Sequence, residues 1–471
     1  MFWRACIWIL AAWLVGQPAR TPISLIITHG TVVTVNPSGL IVADGAVAIE
    51  GRDIVAVGTA DEVAAKFDGK ETIDASGQVV LPGLINTHTH APMVLYRGLA
   101  DDLALMEWLQ KYIFPAEAKT VTPEFVRVGT RLAALEMIRS GTSAYADMYY
   151  FEEEIAKATR EAGLRGVLGQ TIVRFPAPDA RTPEQGLERA SAFVKQFAGD
   201  DLITPAIAPH AMYTLDTAML KAVKRVAVRD GAPLIIHLAE TRDEIAIARK
   251  QYKLSPVQYL DSIGFWANAG GPARRATSPR TLAAHAVHVS AADIRILASR
   301  GIGVSHNPES NMKLASGTAP VPKMRTAGIV VGLGTDGAAS NNDLDMFEAM
   351  RQAALLHKLQ SGDPRVLPAR TVLEMATIEG ARALGLGEIT GSIEVGKRAD
   401  LIVVSMASAR QTPLYDPVSH LVYATRGDDV KTTIVNGRVL MRDRMVLTLD
   451  EPAVLAEAVK QAAIVRTAVG K

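Results

Sequence analysis

The sequence predicts an α/β protein: a (β/α)8 TIM barrel carrying a small β-sandwich domain built from both chain ends. Three observations point there. Eight apolar strand-like runs alternate with helix-like stretches across the middle of the chain. Short β-rich runs broken by turn residues stand near the start and return near the end. The 471 residues exceed one ordinary domain, yet suit a barrel of about 250 residues with a smaller partner.

The first 19 residues stand apart. Arg4 precedes an apolar run, Ala5 to Val15, too short to span a bilayer but suited to the core of a secretory signal, and Gly16 to Ala19 can hold the cleavage site. The expectation is an exported protein, periplasmic or secreted, with no membrane partner after signal removal; a misassigned start codon would make it cytoplasmic. The single cysteine, Cys6, lies in this segment, so a mature chain has no disulfide, no thiol nucleophile and no cysteine-bound zinc. Deaminases with an H-x-E and C-x-x-C signature are thereby excluded. With 50 basic and 49 acidic residues, the formal charge of +1 supplies no field for nucleic acid or anionic lipid. A small-molecule substrate is the expected partner, and a homo-oligomer is left open.

Taken in order, residues 20–80 read as the first part of the sandwich. Its runs are Ile23 to Thr28, Thr31 to Val35, Gly45 to Glu50, Ile54 to Val57 and Thr72 to Ala75, punctuated by Asn36-Pro37, Asp44-Gly45 and Glu50-Gly51. The barrel occupies 81–390. Its strands are expected at Leu84 to His90, Thr142 to Met148, Gly166 to Thr171, Thr204 to Pro209, Leu234 to Leu238, Leu282 to His288, Ile302 to His306 and Val330 to Asp336. Between them Phe125 to Arg139, Glu152 to Glu161, Ala218 to Arg229, Ala292 to Arg300 and Leu344 to Lys358 show helical spacing. Residues 391–471 return to the sandwich at Ser392 to Val395, Ala399 to Ser405, Lys431 to Val435 and Arg438 to Met441. They close with a helix, 450–469, whose Leu455, Val459 and Ala462 are expected to pack on the small sheet.

A barrel active site sits at the C-terminal ends of the strands. Polar residues cluster there: His88 and His90 on the first strand, His210 after the fourth, His237 and Glu240 on the fifth, His285 on the sixth, His306 on the seventh and Asp336 on the eighth. His88 and His90 are two apart on a strand, so their imidazoles point the same way. His88, His90, His237 and Asp336 form a nitrogen and oxygen ligand set for one divalent metal ion, zinc foremost, with iron or manganese as substitutes. Such a metal lowers the pKa of bound water from 15.7 to about 7, and Asp336 can take the water's proton. Glu240, three residues past His237, stands beside the metal without ligating it, the place for a general acid. His285 can hold the nucleophile or stabilise charge on the attacked oxygen. His29, His288, His357 and His420 read as ordinary satisfied groups.

These motifs resemble the amidohydrolase superfamily. Leu81 to His90 matches its strand-one signature, His237-Leu-Ala-Glu-Thr241 its strand-five motif, Ala283-Ala-His285 its strand-six histidine and Gly334-Thr-Asp-Gly-Ala-Ala-Ser-Asn-Asn342 its strand-eight aspartate. The likeness runs from about residue 23 to 447. Because the fourth strand ends Ile-Ala-Pro-His, without a bridging lysine or glutamate, it implies a single metal. The chain is most similar to the group of methylthioadenosine/S-adenosylhomocysteine deaminases and triazine hydrolases. Tyr96-Arg-Gly98, Met106-Glu-Trp-Leu109, Pro209-His-Ala-Met-Tyr-Thr214 and Val304-Ser-His-Asn-Pro308 carry that likeness. It implies that Glu107 contacts ribose hydroxyls and that His210, Glu240 and Asp336 contact the substrate. Gln170 stands where one arginine that reads an amino-acid carboxylate is expected; Arg174 and Arg181 are candidates to replace it.

The expected function is zinc-dependent hydrolytic deamination of an aminopurine nucleoside of the 5'-methylthioadenosine, S-adenosylhomocysteine or adenosine type. In it metal-bound hydroxide attacks the carbon bearing the amine, with Glu240, His285 and Asp336 catalytic. One alternative keeps the site and changes the bond, as in a triazine-type chlorohydrolase or an amidase. A remote alternative is a non-catalytic barrel scaffold.

Overall fold

The computed structural model describes residues 19–267 and 281–470. The expected signal segment and Cys6 lie outside them. The chain opens with five strands, β1 (Thr21–Val33), β2 (Ile41–Glu50), β3 (Asp53–Thr59), β4 (Phe67–Asp74) and β5 (Gln78–Pro82). The turns between them carry Gly39 and Gly51 in left-handed conformation, which glycine adopts without a Cβ clash.

Eight parallel strands follow: β6 (Leu84–Thr89), β7 (Thr142–Tyr149), β8 (Arg165–Ile172), β9 (Ile203–Pro209), β10 (Leu234–Leu238), β11 (Thr281–His285), β12 (Gly303–His306) and β13 (Val331–Leu333). They are hydrogen-bonded in sequence order from β6 to β13. The ring is drawn shut where the Asp336 N–H donates to the His88 carbonyl at 2.9 Å and the Thr87 hydroxyl to the Leu333 carbonyl at 2.8 Å. Every residue of β7, β8 and β10 is buried, as strands covered on both faces must be. Helix starts are set locally. Thr122, Thr182, Asp216, Thr241 and Ser290 each accept a hydrogen bond from the backbone N–H three residues on, satisfying a donor that helix geometry leaves free.

The last strands are β14 (Leu401–Ser405), β15 (Val430–Val435), β16 (Arg438–Arg442) and β17 (Met445–Val446). They join the opening strands in one mixed sheet, β17-β16-β15-β14-β5-β1-β2-β3, with β4 beside β1. The sandwich's two halves are thus continuous through β5, which pairs parallel with β1 and antiparallel with β14. Their shared core holds Leu25, Ile27, Val47, Val80, Leu401 and Ile434. The buried Arg165 of β8 reaches this domain, its Nε 3.0 Å from Asp400.

Two expectations are corrected. Ser392 to Val395 is not a strand: Gly391 and Gly396, both with positive φ, turn the chain at each end. Ile393 instead docks singly, donating its N–H to the Thr34 carbonyl at 2.8 Å. The terminal helix, Glu451–Val469, does not pack on the small sheet. It lies against the barrel helices Pro123–Arg139 and Phe114–Thr120, with Arg131–Glu457 and Arg139–Glu451 ion pairs along the seam. Its buried residues are Val454, Ala458 and Val465, while Leu455 and Val459 face outward. Period alone named an apolar stripe but chose the wrong one, because alanine and valine populate both sides of this helix.

Candidate active site

The strand ends of the barrel converge as their spacing requires. His88 is fully buried, and neither of its ring nitrogens has a hydrogen-bond partner. The His90 Nδ1 lies 2.7 Å from the Met148 carbonyl and the His237 Nδ1 2.9 Å from the His210 carbonyl. A carbonyl can only accept, so both Nδ1 atoms carry the proton and both Nε2 atoms are bare lone pairs. Those two Nε2 atoms are 3.3 Å apart. Asp336 Oδ1 stands 3.4 Å from His90 Nε2 and 3.6 Å from His88 Nε2.

Burial, then the neighbouring imidazoles, holds His88 and His237 well below the ordinary histidine range, which leaves both neutral. Burial raises Asp336, but the His285 and His90 rings more than offset it and keep the carboxylate ionised. Bare imidazole lone pairs facing each other beside a carboxylate repel unless a cation lies between them. His88, His90 and Asp336 gather in one trio and His88, His237 and His285 in another, a histidine and aspartate cluster that fits a divalent metal, and nitrogen donors with a carboxylate suit zinc.

Backbone strain aims two of the groups. His285 (φ 74°) and Asp336 (φ 67°) both sit in the left-handed region, which costs a non-glycine residue roughly 1 kcal/mol or more. This turn lifts each side chain out of its strand's alternation and into the barrel mouth. His285 Nδ1 lies 3.0 Å from Asn311 Oδ1 and 3.3 Å from Asn307 Nδ2, so Nε2 faces inward, 3.9 Å from Glu240 and 4.0 Å from Asp336. Ser310 donates to Asp336 Oδ2 at 2.7 Å. Burial raises the Glu240 pKa, and the buried Glu244 accepts the Glu240 backbone N–H at 3.0 Å, fixing the turn that carries it.

A cavity opens onto these groups. Among its lining residues are His90, His210, His237, Glu240, His285 and Asp336. The His210 ring lies 4.7 Å from that of His237, and burial pulls its pKa down to about 3, so it is neutral. The structure does not bring Glu107 there. Its side chain is 44% exposed and pairs with Lys111 at 2.8 Å, although its neighbour Trp108 lines the cavity. Gln170 turns away to Asp179 at 2.9 Å, and Arg174 and Arg181 are exposed and outside the wall. His306 also stays out of the cavity, its Nε2 meeting that of His357 at 3.1 Å.

Sequence reading missed Tyr149, Tyr150, Tyr213 and Glu117 in the wall. The tyrosines had a signal, since Tyr149 ends β7 at the active face of the barrel. Glu117 had none: an acid in a short helix, Phe114–Thr120, looks like surface.

Fold and site together define a metal-dependent hydrolase barrel, with imidazoles and a carboxylate gathered beside a buried acid. The amidohydrolase family model matches residues 79–440, and the chain belongs to that family. It is 48% identical over 431 residues to a 5-methylthioadenosine/S-adenosylhomocysteine deaminase of Syntrophobacter fumaroxidans, covering 92% of this chain and 96% of the relative. It is 47% identical over 440 residues to a 5'-deoxyadenosine deaminase of Methanosarcina mazei, covering 93% and 97%. Among solved structures, a zinc-bound adenosine deaminase from Xanthomonas campestris superposes with a TM-score of 0.91 at 38% identity, covering 95% of this chain and all of that one.

Proposed function

We propose that this protein is a zinc-dependent hydrolytic deaminase of an aminopurine nucleoside, releasing ammonia. The observation that carries this reading is the pair of bare Nε2 atoms on His90 and His237, 3.3 Å apart, beside a buried acid in the wall of one cavity. A divalent ion held by His88, His90, His237 and Asp336 supplies Lewis acidity, which makes water nucleophilic at neutral pH.

The chain's own groups handle the protons. Asp336, ionised and fixed by Ser310, accepts a proton from the attacking water as its oxygen bonds to the carbon bearing the amine. Glu240, whose pKa burial raises, donates a proton to the adjacent ring nitrogen. His285 orients the water through Nε2, its other nitrogen being held between Asn311 and Asn307. The carbon–nitrogen bond then breaks as Asp336 returns its proton to the departing amine, the electron pair of the added oxygen forms the new carbonyl, and that oxygen's remaining proton passes to Glu240; water plus amine becomes oxo product plus ammonia. Neutral His210 contacts the purine. Glu107 stays paired with Lys111, so its contact with the ribose hydroxyls rests on the sequence pattern alone, as does export through residues 1–19.

The test is ammonia release from adenosine-type nucleosides by the zinc-loaded protein. Glu240→Gln should lower kcat by roughly 10²- to 10⁴-fold, the usual worth of a positioned general acid. Turnover unchanged in that variant would overturn the assignment of the acid.

A further inference from the structure

The nucleosides that two of the relatives are named for differ in one chemical respect. S-adenosylhomocysteine ends its 5' substituent in an amino acid, whereas 5'-deoxyadenosine carries no 5' group at all. The cavity wall distinguishes them. With the amine-bearing carbon at the metal cluster, the ribose and its 5' substituent take up the remainder of the cavity, where Leu105, Trp108, Leu109, Ile113, Phe114 and Glu117 form part of the lining.

This stretch is apolar apart from one group. Among the described residues no lysine or arginine lines the cavity. The cations nearby in sequence are engaged or outside: Lys111 pairs with Glu107, Lys313 bonds Asp101 and Asn342, and Arg174 and Arg181 are exposed. The one ionisable group on that stretch is an acid. Glu117 is 5% exposed, its Oε1 accepts from the Tyr149 hydroxyl at 2.7 Å, and no cation among the described residues pairs with it. The Tyr149 ring that holds this acid stands 6.4 Å from that of His90.

A carboxylate brought into such a wall loses its hydration and finds no counter-charge, which buried anions do not tolerate. Glu117 adds a second acid to the same low-dielectric space, and burial already pushes its own carboxyl up to about 7. We infer that this cavity takes aminopurine nucleosides whose 5' substituent is apolar and uncharged, that it excludes those ending in a carboxylate, and that Glu117 is a specificity-determining residue of that choice. The inference rests on the deaminase reading and narrows it.

The test compares two thioethers, 5'-butylthioadenosine and 5'-(3-carboxypropylthio)adenosine, which share a three-methylene chain and end in a methyl and a carboxylate. The wild-type zinc enzyme should prefer the butyl compound by roughly a hundredfold in kcat/KM, as sites do when a partner group is left unpaired. Glu117→Gln, which keeps the shape and removes the charge, should narrow that preference by about tenfold, chiefly through KM for the acid. Equal kcat/KM for the two compounds in the wild type overturns the inference and leaves the deaminase reading standing. An unchanged ratio in Glu117→Gln removes Glu117 from it. Ammonia released from no adenosine-type nucleoside overturns the deaminase reading first, and this inference with it.

Discussion

His90 and His237 show how a single tautomer sets chemistry. Each Nδ1 proton is committed to a backbone carbonyl, so each Nε2 must face its neighbour unprotonated. Zinc should relieve that repulsion and stabilise the fold, by about 2.7 kcal/mol at a hundredfold excess over Kd. Calorimetric melting with and without zinc checks this, and an unshifted transition would count against the ligand set. A second buried pair makes a pH prediction. Burial, then the Lys358 charge, pulls His357 down to about 4. The unfolded chain binds that proton near pH 6.5, so the unfolded state holds more protons between 4 and 6.5, and stability is complete above this window and lost as pH falls through it. The loss should reach about 2 kcal/mol at pH 5. Urea midpoints measured from pH 7 to 5 should therefore fall more steeply in the wild type than in His357→Gln.

At the level of elements, the helix Pro123–Arg139 braces the metal-binding turn. Gly129 is buried in its middle, and a Cβ there would lie 2.6 Å from the Pro92 carbonyl oxygen and 2.8 Å from the Pro92 Cα. Both are backbone atoms two residues past His90, so they cannot yield without moving the ligand. Gly129→Ala gains about 1 kcal/mol of helix propensity yet should destabilise the protein by roughly 1–3 kcal/mol through overpacking. It should also weaken zinc binding, which a chelator competition would register. Thr122→Ala, at the same helix's N-cap, should cost about 1 kcal/mol and leave zinc affinity alone. The contrast between the two variants separates a helix merely loosened from one displaced against the site.

Across the whole molecule, the barrel and the small sheet are tied by a buried charge pair. Arg165 of β8 bonds Asp400, which also accepts the Asn436 N–H at 2.6 Å, and Arg165 donates to the Asp201 carbonyl at 2.7 Å. Removing one member strands the other in the interior, so Asp400→Ala should cost about 3–5 kcal/mol. Denaturation monitored at both domains would show it, and a loss under about 1 kcal/mol would mean that water reaches the pair. The terminal helix adds a second tie, for it braces the barrel helix that carries Glu117.

Much of this architecture was legible in the chain. Alternation of buried strands with capped helices follows from local chemistry, so the eight strands and their order could be read from runs such as Leu234 to Leu238. The cluster of histidines with an aspartate could be read too, because polar residues at the ends of buried strands have few other reasons to be there, and a closed barrel forces those ends together. Folding alone decided which way side chains point once they leave a strand or helix. Glu107, in a readable motif, turns to Lys111, while Glu117, in an unremarkable helix, lines the cavity. It likewise decided that the terminal helix buries Val454 rather than Leu455. A residue's identity and spacing fix what it can do and which element it joins; its direction depends on packing against segments hundreds of positions away, and that is information the local sequence does not hold.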